Sequence, residues 1–280
     1  MAAKLVRPKS LYLDTAGWRR LCDEPSGGTL WPALYRMVNT GLVIPVLSFT
    51  HLQEFQAMSQ NTLRCLDSRL GELVRRGAGK WVRDYHSLQY LEINGELRRQ
   101  GFEAPAPSDP FVPSLLEPIG AALLDNELVF PGFSNLVAWT TATRDRVFRD
   151  LGPGFAEFQR RQREVRGHTA LTDADVLIAI RPYLPDAYAG KFPDGFKLER
   201  ERMPFIQLMF GFFSGSLLSD SEQASDLLDV LHLGGVAYSD VGFVDRVTFD
   251  RLSRGRELRK GIYRNGELES VLTDSTLWDE

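Results

Sequence analysis

The stretch LYLDT, residues 11–15, ends an apolar run on a carboxylate. Its three apolar residues predict the end of a buried strand, and a helix is expected to follow over residues 15–22. Asp14 lies between the two. It has two interpretations, because an acid in this place either caps the helix or serves as one ligand of a metal site. The choice depends on which other residues the fold brings to the same place.

The next segments continue the pattern of strand and helix. Residues 29–40 predict a helix with Thr29 as a candidate N-cap, and the β-branched run GLVIPVLS, residues 41–48, predicts a second buried strand. Residues 49–60 then predict another helix. Strands that alternate with helices in this way favour a parallel α/β sheet.

The same alternation returns near the end of the chain. Residues 219–235 predict a helix that Ser or Asp caps and that Gly234–Gly235 ends. The stretch VAYSDVGFVDR, residues 236–246, predicts two short strands, each followed by an acid. A helix over residues 248–260 follows, and Asn265-Gly266 indicates a hairpin turn.

Between these two regions, helical periodicity dominates and breaks rich in proline and glycine separate the segments. The sequence therefore predicts one discontinuous α/β core, formed by residues 1–60 and 219–280, with a large, mostly α-helical insertion over residues 61–218. The most apolar window, PFIQLMFGFFSGSLL at residues 204–218, is shorter than the roughly 20 residues of a membrane-spanning helix. It predicts a buried helix, with a membrane or partner contact as the alternative.

Composition narrows the class of protein. The 280 residues are 43% hydrophobic and 25% charged, which is typical of a soluble globular protein. The net charge of −4 provides no general attraction for nucleic acid or an anionic membrane, so a nucleic-acid site must be local. Cys22 and Cys65 predict free thiols in a reducing compartment, with a single disulfide as the alternative. The amino-terminal residues contain no secretory signal, and a cytoplasmic location is expected.

The candidate functional residues are acids near the predicted strand ends. Ligands of an open parallel sheet bind beyond the carboxyl ends of its strands. Asp226 and Asp229 lie one helical turn apart, and His232 extends the same face. Each acid also has a structural interpretation as a helix cap, a solvated helix residue or a turn residue. The full set of candidate metal ligands is Asp14, Glu54, Asp226, Asp229, Asp240 and Asp245.

If these acids converge, they repel one another, and a bound cation relieves the repulsion. Carboxylate oxygens without a set of Cys or His ligands suit Mg²⁺ or Mn²⁺. Such ions can activate a water molecule and stabilise the leaving oxygen of a phosphodiester. The acids therefore indicate metal-dependent phosphodiester hydrolysis. Motifs of P-loop, Rossmann, zinc and serine-hydrolase sites are absent from the sequence.

The order of these motifs resembles the PIN-domain nucleases. LYLDT, VIPVLSFTHLQEF and SDLLDVLHLGGVAYSDVGFVDRVTFDRL follow the order of that family, and the D-x-x-D-x-x-H spacing before AYSDVGFVDR is similar to larger bacterial PIN-like proteins. The resemblance covers roughly residues 9–60 and 219–255. It implies a PIN-like, three-layer core with a parallel sheet and a metal site. The implied catalytic ligands are Asp14, Glu54, Asp229 and Asp245, with Asp226 as the second choice to Asp229 and Asp240 as a nearby acid.

The resemblance also implies an endoribonuclease that cleaves single-stranded or structured RNA, as a toxin, a defence protein or an RNA-processing enzyme. Two alternatives stay open: a PIN-like binding or scaffold module without catalysis, and a DNA-directed nuclease. The module is favoured by the acidic net charge and by Ala16, Phe243 and Val244, which occupy positions where the family often has polar side chains.

Arginines provide candidate contacts for RNA phosphates, although a solvated helix face explains them equally well. One cluster lies at Arg160, Arg161, Arg163 and Arg166, and the candidate nucleic-acid contacts beside the last acid are Arg246, Arg251 and Arg254. The motif TDADVLIAI, residues 172–180, also resembles the acid-bearing helix, but no apolar strand ending in an acid follows it. Expected partners are RNA and an antitoxin or co-encoded protein, with no membrane. The oligomeric state stays open, with a homodimer as one option.

Overall fold

A computed structural model of the protein describes residues 7–24, 28–112, 133, 137, 152–219 and 226–278. Several predictions lie outside the described residues. These are the helix in LLEPIGAALLDNEL, most of the helix in FSNLVAWTTATRDRVFRDL, and the start of the helix predicted over residues 219–235.

The described residues form a six-stranded sheet. Its strands are β1 (Lys9–Leu13), β2 (Val43–Leu47), β3 (Lys80–Val82), β4 (Phe111–Val112), β5 (Val241–Val244) and β6 (Ile262–Arg264). Their order in the sheet is β4-β3-β2-β1-β5-β6, and all neighbouring strands are parallel except β3 and β4. The strand near the start of the chain therefore lies in the centre of the sheet, beside a strand from near its end.

Helices pack on both faces of this sheet. Side chains of a strand alternate between its faces, so Leu11 and Leu13 enter one apolar cluster while Tyr12 enters the other. The helices are α1 (Thr15–Asp23), α2 (Leu30–Asn39), α3 (Phe49–Phe55), α4 (Gln60–Arg75), α5 (Tyr85–Arg99), α6 (Gly152–Arg166), α7 (Asp173–Ile180), α8 (Pro204–Leu217), α9 (Asp226–Ala237), α10 (Arg246–Arg254), α11 (Leu268–Thr273) and α12 (Ser275–Trp278). The first cluster includes residues of α1, α2, α4 and α11, and the second includes residues of α5, α8 and α9.

The structure confirms the α/β class and the mostly parallel sheet. It also shows that the sheet extends into the predicted insertion, since β3 pairs with β2 and β4 pairs with β3. The division of the chain into a core and an insertion at residues 61–218 stays a prediction. The apolar window forms the buried helix α8, as expected. No helix among the described residues combines the length and the apolar character needed to cross a bilayer.

Two predictions about local structure were wrong. Helix α9 does not end at Gly234–Gly235 but continues to Ala237, so the first of the two predicted strands in residues 236–246 does not form. A Cβ atom at Gly235 would overlap the ring of Tyr12, and glycine here permits close helix packing. Asn265-Gly266 forms no hairpin, because a short 3-10 turn leads from β6 into α11.

Candidate functional site

Four of the predicted acids line one cavity at the carboxyl edge of the sheet. Asp14 follows β1 and Asp245 follows β5, and these strands are neighbours, with Leu13 opposite Phe243. The cavity has a volume of about 350 Å³. We call it the acid-lined cavity, and its polar lining is formed by Asp14, Thr15, Arg19, Glu54, Asp229, His232 and Asp245.

Asp14 serves as a helix cap and also faces this cavity. Its Oδ1 accepts a hydrogen bond of 2.8 Å from the backbone N–H of Gly17, which caps α1. The side-chain amide of Asn265 donates to both carboxylate oxygens, each at 2.8 Å. Burial raises the pKa of Asp14 to about 6, and the nearby Asp245 acts in the same direction, while His232 and the hydrogen bonds oppose the rise.

Glu54 and His232 form a pair that links α3 to α9. His232 Nε2 donates to Glu54 Oε2 at 2.8 Å. Burial tends to raise the pKa of Glu54, but the attraction and hydrogen bond of His232 outweigh it and lower the value to about 2. Burial tends to lower the pKa of His232, and the charge of Glu54 overcomes this effect and raises it. The pair therefore places a positive charge among the acids.

Three buried polar residues behind the cavity hold this pair, and none of them was among the predicted site residues. Tyr12 Oη contacts His232 Nδ1 and lies 3.1 Å from Ser48 Oγ. His51 Nε2 donates to the Leu13 carbonyl at 2.6 Å, and its Nδ1 accepts from the Ser48 backbone N–H at 2.9 Å. Because a carbonyl only accepts and an amide N–H only donates, these contacts define a neutral tautomer of His51. Burial lowers the pKa of His51 to about 3, which agrees with this form.

Asp245 and Asp229 complete the lining of the cavity. Asp245 Oδ1 accepts from the Thr248 backbone N–H at 2.6 Å and caps α10. Burial raises the pKa of Asp229 well above its usual value, and Asp245 and Glu54 add to the rise by repulsion while His232 opposes it. The ionised form of Asp229 is therefore unfavourable unless a further cation reaches it.

Two predicted acids lie elsewhere. Asp226 and Arg251 are each 1% exposed in their side chains and form an ion pair at 2.7 Å. Asp240 precedes β5 and accepts from the backbone and hydroxyl of Ser10, near the start of β1, both at 2.7 Å. Asp240 is therefore at the opposite edge of the sheet from Asp14. Neither Asp226 nor Asp240 lines the acid-lined cavity, contrary to what the sequence suggested.

The second acid-bearing motif has other contacts. Asp175 caps α7 with Thr172 and pairs with Arg166, and Asp173 pairs with Arg200 at 3.1 Å. Asp175 lines a different cavity. The structure thus supports the choice of the later helix as the one that faces the strand ends.

The arginines also separate by environment. Arg251 was predicted as a nucleic-acid contact, but its side chain is buried and paired with Asp226, so its guanidinium does not lie at the surface. Arg246 and Arg254 are exposed on α10. Arg19, on α1, lines the acid-lined cavity, is 68% exposed in its side chain and pairs with Asp23 at 3.1 Å. Arg19 was not among the predicted site residues, although its place on the helix that begins directly after Asp14 is a signal.

The donor chemistry of the cavity fits a hard divalent cation, because four carboxylates from separate parts of the chain line it. The side chains do not enclose an ion as they lie. Within the described ranges, no three His, Cys, Asp or Glu side chains form a group that could hold a metal ion. The protein's own donors explain part of this arrangement, since Asn265 occupies both oxygens of Asp14 and His232 occupies Glu54.

Comparisons with known proteins identify no relative. No protein-family model matches the chain, and no curated protein or solved structure matches it either. The function is therefore argued from the site.

Proposed function

We propose that this protein is an endoribonuclease with a PIN-like core that depends on Mg²⁺ or Mn²⁺. The observation that carries the proposal is the convergence of Asp14, Glu54, Asp229 and Asp245 on one cavity at the carboxyl edge of the sheet. This edge is where open α/β sheets bind their ligands. The raised pKa values of Asp14 and Asp229 support it, because burial disfavours their ionised forms, repulsion from Asp245 adds to this effect, and a bound cation would offset both.

The four carboxylates would hold the ion, and the ion would supply Lewis-acid activation of water and of the scissile phosphate. Glu54 would have to exchange His232 for the metal, and Asp14 would have to share its oxygens with Asn265. His232 would then remain beside the acids as a proton donor or acceptor. Arg19, at the rim, is placed to contact a phosphate next to the scissile one.

RNA cleavage in Mg²⁺ or Mn²⁺ tests the proposal, with Asp14→Asn, Asp229→Asn and Asp245→Asn as the variants. Asparagine is an equally good helix cap, so the changes at Asp14 and Asp245 preserve the caps of α1 and α10. Asp240→Asn is the matched control, because it removes an acid at the opposite edge of the sheet. Each of the first three variants should lose cleavage, whereas Asp240→Asn should retain it.

The substrate arms of the same experiment are single-stranded RNA, structured RNA, single-stranded DNA and duplex DNA. Preferential cleavage of RNA agrees with the proposal. Equal or better cleavage of DNA would instead support the DNA-directed alternative. If all three acid variants cleave RNA as well as the wild type does, these residues play no part in the reaction.

The occupied carboxylates favour a second candidate, a PIN-like binding module without catalysis. Asp14 accepts three hydrogen-bond contacts from two protein donors, the Gly17 backbone N–H and the Asn265 amide, and Glu54 has a charged partner, so both acids are satisfied without an ion. A titration of the melting temperature with Mn²⁺ separates the candidates. A metal enzyme should be stabilised by mass action and Asp229→Asn should not be, whereas a module should show no shift in either protein.

A further inference from the structure

A second cavity lies between α6, α7 and α8, and shares no lining residue with the acid-lined cavity. Its volume is about 440 Å³, within the range of small-molecule pockets. We call it the aromatic cavity, because rings line much of its wall. These rings belong to Tyr85, Phe155, Phe158, Phe210 and Phe213.

The rim of the aromatic cavity exposes large apolar side chains. Phe158 is 52% exposed and Ile178 is 68% exposed, and both line the cavity. Phe155, Phe158 and Gln162 recur at helical spacing along one face of α6. Exposed apolar side chains around a concave, apolar wall are typical of a binding site.

A buried amide in the wall indicates the chemistry of the ligand. Gln159 lines the cavity and is only 2% exposed. Neither its Nε2 nor its Oε1 has a hydrogen-bond partner within the part of the chain that the structure describes. Burying an unpaired amide is unfavourable. A ligand edge that carries an acceptor beside a donor would satisfy both atoms together.

We propose that the aromatic cavity binds a nucleobase. A base provides a flat ring that stacks on aromatic side chains, and its edge carries a donor beside an acceptor that a glutamine amide can pair with. An acyl chain would fill the apolar space but leave Gln159 unpaired. A simple anion is disfavoured, because Arg166 at this cavity is already paired with Asp175.

The base could come from a free nucleotide or from an RNA strand. The second source rests on the proposed function, since it assigns the base to the substrate that the acid-lined cavity would cleave. Binding itself does not depend on cleavage. It is therefore measured with the full chain in EDTA, without any divalent ion.

The experiment is calorimetric titration with four probes: adenosine, a six-nucleotide oligoadenylate, indole and ribose 5-phosphate. Adenosine should bind, and ribose 5-phosphate, which lacks the base, should not. Gln159→Leu should weaken adenosine binding about tenfold and indole binding much less, because indole has a single N–H donor and cannot pair with both amide atoms. Phe158→Ala should weaken the binding of adenosine and indole through lost stacking.

Val165→Ala is the matched control, because Val165 is 84% exposed on the same helix and does not line the cavity. It should bind adenosine as the wild type does. Gln159→Leu should not lower the melting temperature, since it removes an unpaired buried amide, so weaker binding would not reflect unfolding. Failure of adenosine and the oligonucleotide to bind, or unchanged binding in Gln159→Leu, would overturn the proposal.

The two sources are told apart by the oligonucleotide. Tighter binding of the oligonucleotide than of adenosine, lost in Gln159→Leu, assigns the pocket to an RNA strand. Binding of adenosine alone assigns it to a free nucleoside or nucleotide. If adenosine binds but RNA is never cleaved, the proposed function fails and the base pocket stands.

Discussion

His232 on α9 donates a hydrogen bond of 2.8 Å to Glu54 on α3, and both side chains line the acid-lined cavity. The bond joins two helices that are far apart in sequence. It also compensates charge, because the raised pKa of His232 favours an imidazolium among carboxylates. The metal-free protein thus has an internal cation beside its acids. This arrangement has consequences for stability that can be measured without knowing a substrate.

The contribution of this pair to stability should depend on pH. The folded-state pKa of Glu54, about 2, lies below its ordinary value of 4.5, so its contribution is present above pH 4.5 and is lost as the pH falls towards 2. The folded-state pKa of His232 is raised above 6.5, so its contribution is complete below pH 6.5 and is lost as the pH rises through the folded value. The coupling should therefore be largest between pH 4.5 and 6.5.

A double-mutant cycle of Glu54→Gln and His232→Gln, measured by denaturant unfolding in EDTA, tests this window. The coupling free energy should reach about 1.5–3 kcal/mol, as for hydrogen bonds to charged groups. It should decline on both sides of the window. A coupling that is constant from pH 3 to pH 9 would contradict the charged form of the pair.

Asp229→Asn should stabilise the metal-free protein. Because the pKa of Asp229 is raised well above 3.8 in the folded state, its ionised form opposes folding at neutral pH, and the cost disappears below pH 3.8. The variant should gain about 1 kcal/mol or more in free energy of unfolding at pH 7.5, and this gain should vanish near pH 3.5. Asp240→Asn is the control and should gain nothing. If Asp229→Asn has a lower free energy of unfolding than the wild type at pH 7.5, the Asp229 carboxylate does not oppose folding.

Such a gain would also bear on function. A side chain that opposes folding is expected at a site that is completed by a ligand, since natural proteins lose stability where activity requires it. Loss of RNA cleavage together with a gain in stability in Asp229→Asn would agree with the proposed metal site. A binding module without catalysis provides no reason for this combination.

Gly235 on α9 and Gly95 on α5 are two helical glycines in opposite environments, and they provide a matched pair of substitutions. A Cβ atom at Gly235 would overlap the Tyr12 ring, whereas one at Gly95 would meet no atom within 4 Å. Gly235→Ala should therefore destabilise the protein by about 1–3 kcal/mol through overpacking. Gly95→Ala should stabilise it by up to about 1 kcal/mol, because alanine is the better helix former. Denaturant unfolding measures both. Equal effects of the two changes would mean that α9 does not pack tightly on Tyr12.

The strand-end acids could be predicted because their signals are local. An apolar run that stops on an acid identifies Asp14 and Asp245, and parallel pairing then brings neighbouring carboxyl ends together. Glu54 and Asp229 follow from the helices beside these strands. That the four acids bind a metal stays a prediction.

Other parts of the site depend on contacts that sequence spacing does not reveal. Asn265 donates to Asp14 although the two residues are 251 positions apart in sequence. The local sequence around Asn265 indicates a turn and gives no sign of this contact. Asp226 was predicted as a metal ligand because helical spacing places it on the same face as Asp229. The spacing does not reveal that its carboxylate pairs with Arg251. Asp240 was misplaced because the strand begins after it, not before it, and a boundary error of this kind moves an acid to the other edge of the sheet.

The buried partner of Asp226 leads to the last prediction, which separates two arginines on α10. Arg251→Met should destabilise the protein by about 3–5 kcal/mol, because it leaves the Asp226 carboxylate buried without its cation. Replacing both residues, as Asp226→Leu with Arg251→Met, should recover much of the loss, since neither charge is then buried. Arg254→Ala, at an exposed position, should change the free energy of unfolding by less than about 0.5 kcal/mol.

For RNA binding we expect the reverse, so that Arg254 has an effect and Arg251 has none. If α10 contacts a phosphate, Arg254→Ala should reduce the slope of the logarithm of the binding constant against the logarithm of the salt concentration by about 1. The double replacement at Asp226 and Arg251 should leave that slope unchanged, because Arg251 does not reach the surface. Fluorescence anisotropy with a labelled single strand, at several salt concentrations in EDTA, measures both slopes. An unchanged slope in Arg254→Ala would exclude this residue from the RNA surface, and a lower slope in the folded double variant would contradict the burial of Arg251.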